Sequence, residues 1–555
     1  MEPRKIQIQV PTGLVNFVQS VLANRNTDIT EMYRKLNSLQ APQEMRDAVK
    51  AALRIIEAIK AGHKIVLYGD YDADGCGCIV IAKLLFKALG YDNFDTFHND
   101  RWLGFGMNKQ GIDSILASNP DVKLIVTADN GIVAFDAVDY ANSLGIDVVI
   151  TDHHIPDASG RLPNAVAVVD PHREDETCEY RDLCGTGVLF KVMALVFHYL
   201  GRDVNEVNNV LDFVAVATVG DVVPITGENR VLVKYGLELI NSGKVRPEIW
   251  NSFLKESSTF GQVTECDAKN IAFFIAPCVN ACSRMSGNLK EPLKAFTELP
   301  PEEVPEAIGH LVDVNNVRKV IMNTRVQEGM TQLKDSNAKC IVVAMEHCEE
   351  GIVGLVAGNI CTNLYRPTLV LSRDEHGNWK GSGRSIPGIH VKEALDVINE
   401  THPGILLAYG GHSQACGLTV LDGKVDELRD ALNEYVEKNF SEDTFIQKVV
   451  VDYIIEDPAE LPKLYADKRS LEPFGCEFPE PVVMVRFKPD EARTLKDGLH
   501  LKFRWKNITM FSWKSGYHLN GHKVDDIEEV IAVCSITDGD TLNCSPELLQ
   551  LRFKN

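Results

Sequence analysis

No stretch of this 555-residue sequence approaches the ~18 consecutive apolar residues that a membrane-spanning helix needs. The first residues, MEPRKIQIQVPTG, lack the continuous apolar core of a secretory signal peptide. A cytoplasmic location without membrane contact is therefore expected. The 14 cysteines contain no Cys-x-x-Cys pair, which removes the spacing of a zinc ribbon. Small buried thiols are the expectation, because disulfides do not persist in a reducing cytosol. Low-complexity segments and short-period repeats are absent as well, so no repeat array is anticipated.

What is present is the composition of an ordinary globular protein, 45% hydrophobic and 24% charged. The length allows about three or four domains of ~100–200 residues. A net charge of −21 argues against a nucleic-acid coat protein. It leaves room for a nuclease, which needs only a local basic track beside an acidic site.

Residues 1–60 read as a helical N-terminal segment, with apolar residues at helical spacing over 45–59. From residue 64 the texture changes. KIVLYG (64–69), KLIVTAD (123–129) and DVVITD (147–152) read as strands, separated by helical stretches at 79–89 and 135–144. Such alternation implies a parallel sheet covered on both faces. A long helical region follows over 187–240. The segment 301–335 suggests a connecting helix, with Val304, Ile308, Leu311 and Val320 near one face. A second α/β region, 336–440, includes CIVVAM and PTLVLS. The tail, 445–555, carries KVVVDYII, VVMVRF, HLKFRW and EEVIAVCSI, the texture of a small β-barrel or sandwich. The fold class is α/β, with the first large domain over 61–300.

The segment VLYGDYDADGC places Asp70, Asp72 and Asp74 at alternate positions after an apolar run. Three carboxylates this close repel one another unless a cation sits among them. A solvated acidic loop is one reading and a divalent-metal site the other. The second strand ends in Asp129, and the third in Asp152-His153-His154. In open α/β sheets, ligands bind at this edge. One Asp at a strand end is commonplace; three such ends together are not. LDFVAVATVGDVVP adds Asp221, an acid in apolar surroundings, to be read as a helix cap or a cation ligand. Carboxylates with one or two imidazoles suit Mn²⁺ or Mg²⁺ better than zinc. A pair of such ions is a usual device for phosphoester hydrolysis.

GDYDADG, TADNG, TDHH and TVGDVVP, in this order, resemble the four motifs of the DHH phosphoesterase superfamily, and within it the RecJ family of single-strand-specific exonucleases. LCGTGVLFKV, APCVNACSRM, EGIVGLVAGNI, GSGRSIPGIH, GGHSQACG and LEPFGCEFPEP agree with that family too. The resemblance covers nearly everything after residue 50. It implies a parallel-sheet DHH domain, a connecting helix, a DHH-associated α/β domain and an OB-like barrel. It implies metal ligation by Asp72, Asp74, Asp129, His153 and Asp221, with Asp70 a weaker ligand. His154 would contact the scissile phosphate or assist proton transfer, and Asp152 would orient the histidines.

On the substrate side, Gly381-Ser382-Gly383-Arg384 reads alone as a turn of small residues with one guanidinium. The resemblance makes Ser382 and Arg384 candidates for a terminal phosphate and turns His412 toward the metals. Arg101 and Arg284 match arginines of the family, which makes them candidates for phosphate binding too; an isolated arginine is more often only solvated. In HLKFRWK, Lys502, Arg504 and Lys506 would share one strand face, opposite Leu501, Phe503 and Trp505. That face is either plainly solvated or a backbone-tracking strip for single-stranded DNA. Phe511 and Trp513 suit base stacking and core packing about equally. Two segments depart from the family pattern, at Cys278, where an arginine is typical, and at Glu346-His347-Cys348-Glu349, where Trp-His is frequent. The sequence ends in the barrel, so no additional partner domain is expected.

The implied activity is 5′ to 3′ hydrolysis of single-stranded DNA to 5′-mononucleotides with two Mn²⁺ or Mg²⁺ ions, in repair or recombination. A single-strand-binding protein is the candidate protein partner. The alternatives are a DHH phosphodiesterase acting on short oligoribonucleotides or small nucleotides, and a non-catalytic scaffold. The complete acidic set speaks against the scaffold.

Overall fold

The computed structural model describes residues 4–10, 16–104, 106–257, 264–333 and 337–554. The boundary expected at 335/336 lies outside them. The chain divides into two units: Thr30–Arg318 with Glu472–Pro479, and Met1–Ile29 with Lys319–Leu471 and Glu480–Asn555. Among the described residues no helix is long and apolar enough to cross a membrane.

The first unit is built on five strands in the spatial order Phe94–His98, Lys64–Gly69, Val122–Ala128, Asp147–Thr151, Ala167–Val169. All neighbours are parallel. The apolar runs are buried on both faces. Ile65, Leu67, Leu124, Val126 and Val149 pack under Ala48–Ala61, Ala73–Ala88 and Gly185–Tyr199. Val66, Tyr68, Ile125, Val148 and Ile150 face Lys109–Ser118 and Phe135–Ser143. The helix expected from residue 79 begins at Ala73, because Asp72 accepts hydrogen bonds from the N–H groups of Asp74 and Gly75 and caps it. Gly75 is needed there, since a Cβ would stand 2.3 Å from the Asp70 carbonyl oxygen. The long helical region resolves into Gly185–Tyr199, Leu211–Gly220 and Gly227–Asn241.

The connecting helix is Val304–Gln332. Val304, Ile308 and Leu311 are buried on it, but Val320 is 66% exposed. At about 100° per residue, the nine steps from Leu311 carry Val320 to the opposite side.

In the second unit a mixed sheet runs Leu406–Gly411, Ala415–Val420, Trp379–Arg384, Thr368–Arg373, Ile341–Met345. The Gly-Ser-Gly-Arg segment is therefore not a loop but part of its central strand. Gly381 fits because a Cβ would lie 2.1 Å from the Val370 carbonyl oxygen. The tail forms a seven-stranded, mainly antiparallel sheet from Tyr453–Ile455 to Thr541–Phe553.

The first sixty residues are not wholly helical. Lys5–Gln9 is a strand, paired in parallel with Ile446–Val450. Its KIQIQ alternation is a strand pattern. KVVVDYII is consequently two strands broken at Asp452, not one.

Candidate metal centre

Three strands of the parallel sheet end in acids at one edge. Asp70 follows Lys64–Gly69, Asp129 follows Val122–Ala128, and Asp152-His153-His154 follows Asp147–Thr151. Asp72 caps the next helix and Asp74 lies in its first turn. Asp221 stands at the C-terminus of Leu211–Gly220, so it is not an N-cap. Asp129 takes a left-handed backbone, φ 63°, a conformation that Asp tolerates better than most residues. Its N–H donates to the Thr151 carbonyl at 3.0 Å.

These groups converge on His153. Its Nε2 lies 3.1 Å from Asp129 Oδ1, 3.6 Å from Asp221 Oδ2 and 3.7 Å from Asp74 Oδ2. Three sets can each bring one donor atom within 4.8 Å of the others: Asp129, His153 and His154; Asp74, His153 and Asp221; Asp70, Asp72 and Asp129. Asp129 and His153 each belong to two sets, an arrangement suited to a pair of ions sharing ligands. The donors are mostly carboxylate oxygens, which fit Mn²⁺ or Mg²⁺.

The electrostatics point the same way. Burial, then the negative charges of Asp74 and Asp72, push the carboxyls of Asp129 and Asp221 well above their usual range. Burial and Asp72 do the same to Asp70. Burial lowers His153, so the imidazole tends toward the neutral form that ligates metals. His154 behaves oppositely. Burial pulls it down, but its hydrogen bond to Asp152 outweighs that and lifts it to about 9. Burial likewise opposes ionisation of Asp152, yet His154 holds its carboxyl below the ordinary value.

Backbone donors fix the acids. Asp74 accepts from the N–H groups of Gly185, at 2.6 Å, and Thr186, at 2.8 Å, at the N-terminus of a helix. Asp152 Oδ1 accepts from the N–H groups of His153 and His154 and faces His154 Nδ1 at 2.8 Å. Its Oδ2 accepts from the Ile132 N–H.

Arg101 belongs to this unit. Its guanidinium lies 4.4 Å over the Tyr71 ring and donates to Ser283 Oγ at 3.2 Å. Arg284 is near enough for its charge to act on the Tyr71 phenol, which burial and Asp70 raise to about 12. Cys278 is buried away from solvent, and its sulfur accepts from the Asn315 amide at 3.4 Å.

The remaining candidates belong to the other unit. Arg384 Nη1 donates to Ser382 Oγ and to the Gly383 carbonyl, both at 2.8 Å. His412 is exposed at a hairpin tip, its N–H bonded to the Ala415 carbonyl. Lys502 Nζ sits 5.1 Å over Phe511, whose ring stacks on Trp513 at 5.5 Å. Leu501 and Phe503 are buried and Arg504 is exposed. Lys506 does not continue the basic face: the strand ends at Trp505 and Lys506 turns away with φ 50°. Glu346 pairs with Arg373 at 3.1 Å. All 14 cysteines are free, and all but Cys476 are buried.

Sequence reasoning missed Asp170 and His172. Asp170 follows Ala167–Val169, the fifth strand of the sheet, and repeats the strand-end rule. It is fully buried, and burial with the nearby Asp152 raises it to about 8. The signal was present in AVVDPH, but a three-residue edge strand carries too short an apolar run to be read.

Comparison with known proteins agrees with this geometry. Family models match in order: the DHH family N-terminal domain over residues 64–218, the DHHA1 domain over 337–438 and the RecJ OB domain over 451–537. The single-stranded-DNA-specific exonuclease RecJ of Escherichia coli (strain K12) is 30% identical over 515 residues, covering 89% of this chain and 87% of that protein. The Bacillus subtilis (strain 168) protein of the same name is 32% identical over 84% of this chain and 58% of its own length. RecJ from Thermus thermophilus in complex with Mn²⁺ shares the fold, with a TM-score of 0.79 and 24% identity over 99% of this chain and 79% of that one. An exonuclease RecJ bound to manganese gives a TM-score of 0.59 and 27% identity, covering 72% of this chain and 96% of that one. With that identity sustained across most of both sequences, and the RecJ OB model following the two DHH models, the chain belongs to the RecJ family.

Proposed function

We propose that this chain is a metal-dependent exonuclease that degrades single-stranded DNA from the 5′ end and releases 5′-mononucleotides. One observation carries the reading: in a RecJ-family chain, Asp74, Asp129, His153 and Asp221 meet within hydrogen-bond to ion-pair distance at one sheet edge. Asp72, Asp74, Asp129, His153 and Asp221 hold the metals, with Asp70 supporting them. A bound pair of Mn²⁺ or Mg²⁺ ions acidifies a water and offsets the charge that builds on the phosphate.

The residues of the chain do the rest. Asp152 keeps His154 protonated near neutral pH and engages its Nδ1. His154 then serves as the proton donor toward a phosphate oxygen or the departing oxygen. Arg101 and Arg284 contribute charge toward the phosphate backbone. Ser382 and Arg384 hold the terminal phosphate, His412 lies on the substrate side, and Lys502 and Arg504 track the strand in the OB-type domain. The matched RecJ OB domain favours a long strand over a small nucleotide as substrate. The domains are taken as 61–300, 336–440 and 445–555, with the connecting helix Val304–Gln332 between the first two. A cytoplasmic setting, for which the 14 free thiols are suited, and a single-strand-binding protein as partner complete the reading.

Digestion of 5′-labelled and 3′-labelled single-stranded DNA with Mn²⁺, Mg²⁺ or EDTA tests it. Labelled mononucleotide is expected first from the 5′ label and only with metal. Earlier release from the 3′ label would overturn the polarity, and full activity in EDTA would overturn the metal dependence.

A further inference from the structure

We propose that His172, set in place by Asp170, is a positioning residue that aims the His153 imidazole into the metal centre. The proposal rests on His153 being a metal ligand, as in the reading above.

After Asp152, whose N–H still meets the neighbouring strand, the chain leaves the sheet, and the backbone polar groups of His153 and His154 lose their ladder partners. Such groups need others. Asp152 supplies an acceptor for the N–H groups of His153 and His154. The His153 carbonyl is met by His172 Nδ1 at 2.6 Å. A carbonyl oxygen only accepts, so Nδ1 carries the hydrogen and the tautomer is fixed.

His172 reaches this carbonyl from the neighbouring strand. Ala167–Val169 pairs in parallel with Asp147–Thr151, Thr151 opposite Val169. The Asp152 N–H donates to the Val169 carbonyl at 3.0 Å. Beyond that strand, fully buried Asp170 accepts the His172 N–H at 2.7 Å. Two adjacent strand ends are thus tied together, and the tie falls on the peptide of the residue nearest three carboxylates. Rotation of that peptide would swing the His153 ring, whose Nε2 contacts span only 3.1 to 3.7 Å. Residues that orient metal ligands in this way typically change affinity by about 10- to 100-fold when lost.

The test is a Mn²⁺ titration followed by electron paramagnetic resonance on the full chain, without DNA. His172→Leu is expected to weaken Mn²⁺ binding about tenfold. His172→Asn places an amide nitrogen where Nδ1 stood and is expected to retain wild-type affinity within about twofold. Wild-type affinity in the leucine chain, or equal loss in both chains, would overturn the proposal. Should the leucine chain not unfold cooperatively, His172→Ala takes its place under the same criterion. A wild-type chain that binds Mn²⁺ but leaves DNA intact would sink the exonuclease reading while leaving this test in force.

Discussion

Asp452 and Asp129 are each only 2% exposed, and the regions around them differ in one respect. Asp452, in the barrel-bearing unit, meets Arg25 Nη1 at 2.7 Å, the Asn24 amide at 2.9 Å and the Val482 N–H at 2.9 Å. Asp129, at the parallel-sheet edge, is surrounded by Asp70, Asp72 and Asp74, with two imidazoles for company. The contrast recurs within a single helix. Asp212, at the start of Leu211–Gly220, is answered by Arg246 and the Trp250 indole; Asp221, at its end, faces other acids and His153. Burying an unpaired carboxylate costs several kcal/mol. Where the fold supplies the cation, the acid holds architecture. Where it gathers five acids around His154 and Arg101, the cations are outnumbered and the remaining charge must come from outside.

Exchanging alanine for each acid separates the two cases. Asp129→Ala is expected to abolish turnover, beyond the roughly 100-fold that losing a supporting partner costs, while single-strand binding persists. Wild-type rates on a labelled strand would remove Asp129 from the site. Asp452→Ala removes the carboxylate from the buried Arg25 guanidinium and is expected to cost about 3–5 kcal/mol in urea unfolding, with Mn²⁺ affinity unchanged. A chain that kept its stability but lost Mn²⁺ binding would reverse the assignment.

The second way to sharpen the comparison uses pH. Asp70, Asp129 and Asp221 keep their protons to higher pH in the fold than in the unfolded chain. Between those ranges the folded state binds more protons, so metal-free stability falls as pH rises through the raised values. Below the ordinary carboxylate range the penalty is absent. Mn²⁺ relieves the penalty where it is largest. The gain in Tm on adding Mn²⁺ should therefore be greater at neutral pH than within the ordinary carboxylate range, and Asp129→Asn should flatten that difference. Equal gains at both pH values would mean that the carboxyls are not where the ion binds.

Much of this was legible in the sequence because the central strands are long and apolar on both faces. KIVLYG, KLIVTAD and DVVITD each announce a strand and the acid that ends it. Phe94–His98 and Ala167–Val169 escaped because they are edge strands, half-buried or only three residues long. With the second went Asp170 and His172. Lys5–Gln9 carries a strand's alternation, but its partner lies more than 430 residues away at Ile446–Val450, and no local pattern reports such a pairing. Gly381-Ser382-Gly383-Arg384 looked like a turn because glycine usually means one. In this sheet it marks a close backbone approach instead. Pairing was invisible altogether: Asp212 and Asp221 sit in the same apolar run, and only the fold shows which one has an arginine.

The smallest effects should come from the barrel face, where charges are exposed and partly shared. Trp513 is 43% exposed, so it is not a core residue, and its ring forms one plane-on-plane pair with Phe511 beside Lys502. If a base stacks there, Trp513→Ala costs about 1–3 kcal/mol of single-strand affinity. Lys502→Ala should cost less. A lysine that touches one phosphate contributes about 0.7 to the slope of log affinity against log salt for a single strand. A solvated lysine contributes nothing to it. Measuring affinity at several salt concentrations for the two chains distinguishes these cases without any assumption about cleavage. An unchanged slope would return Lys502 to the class of ordinary surface charges, leaving the aromatic pair and Arg504 to carry recognition on that face.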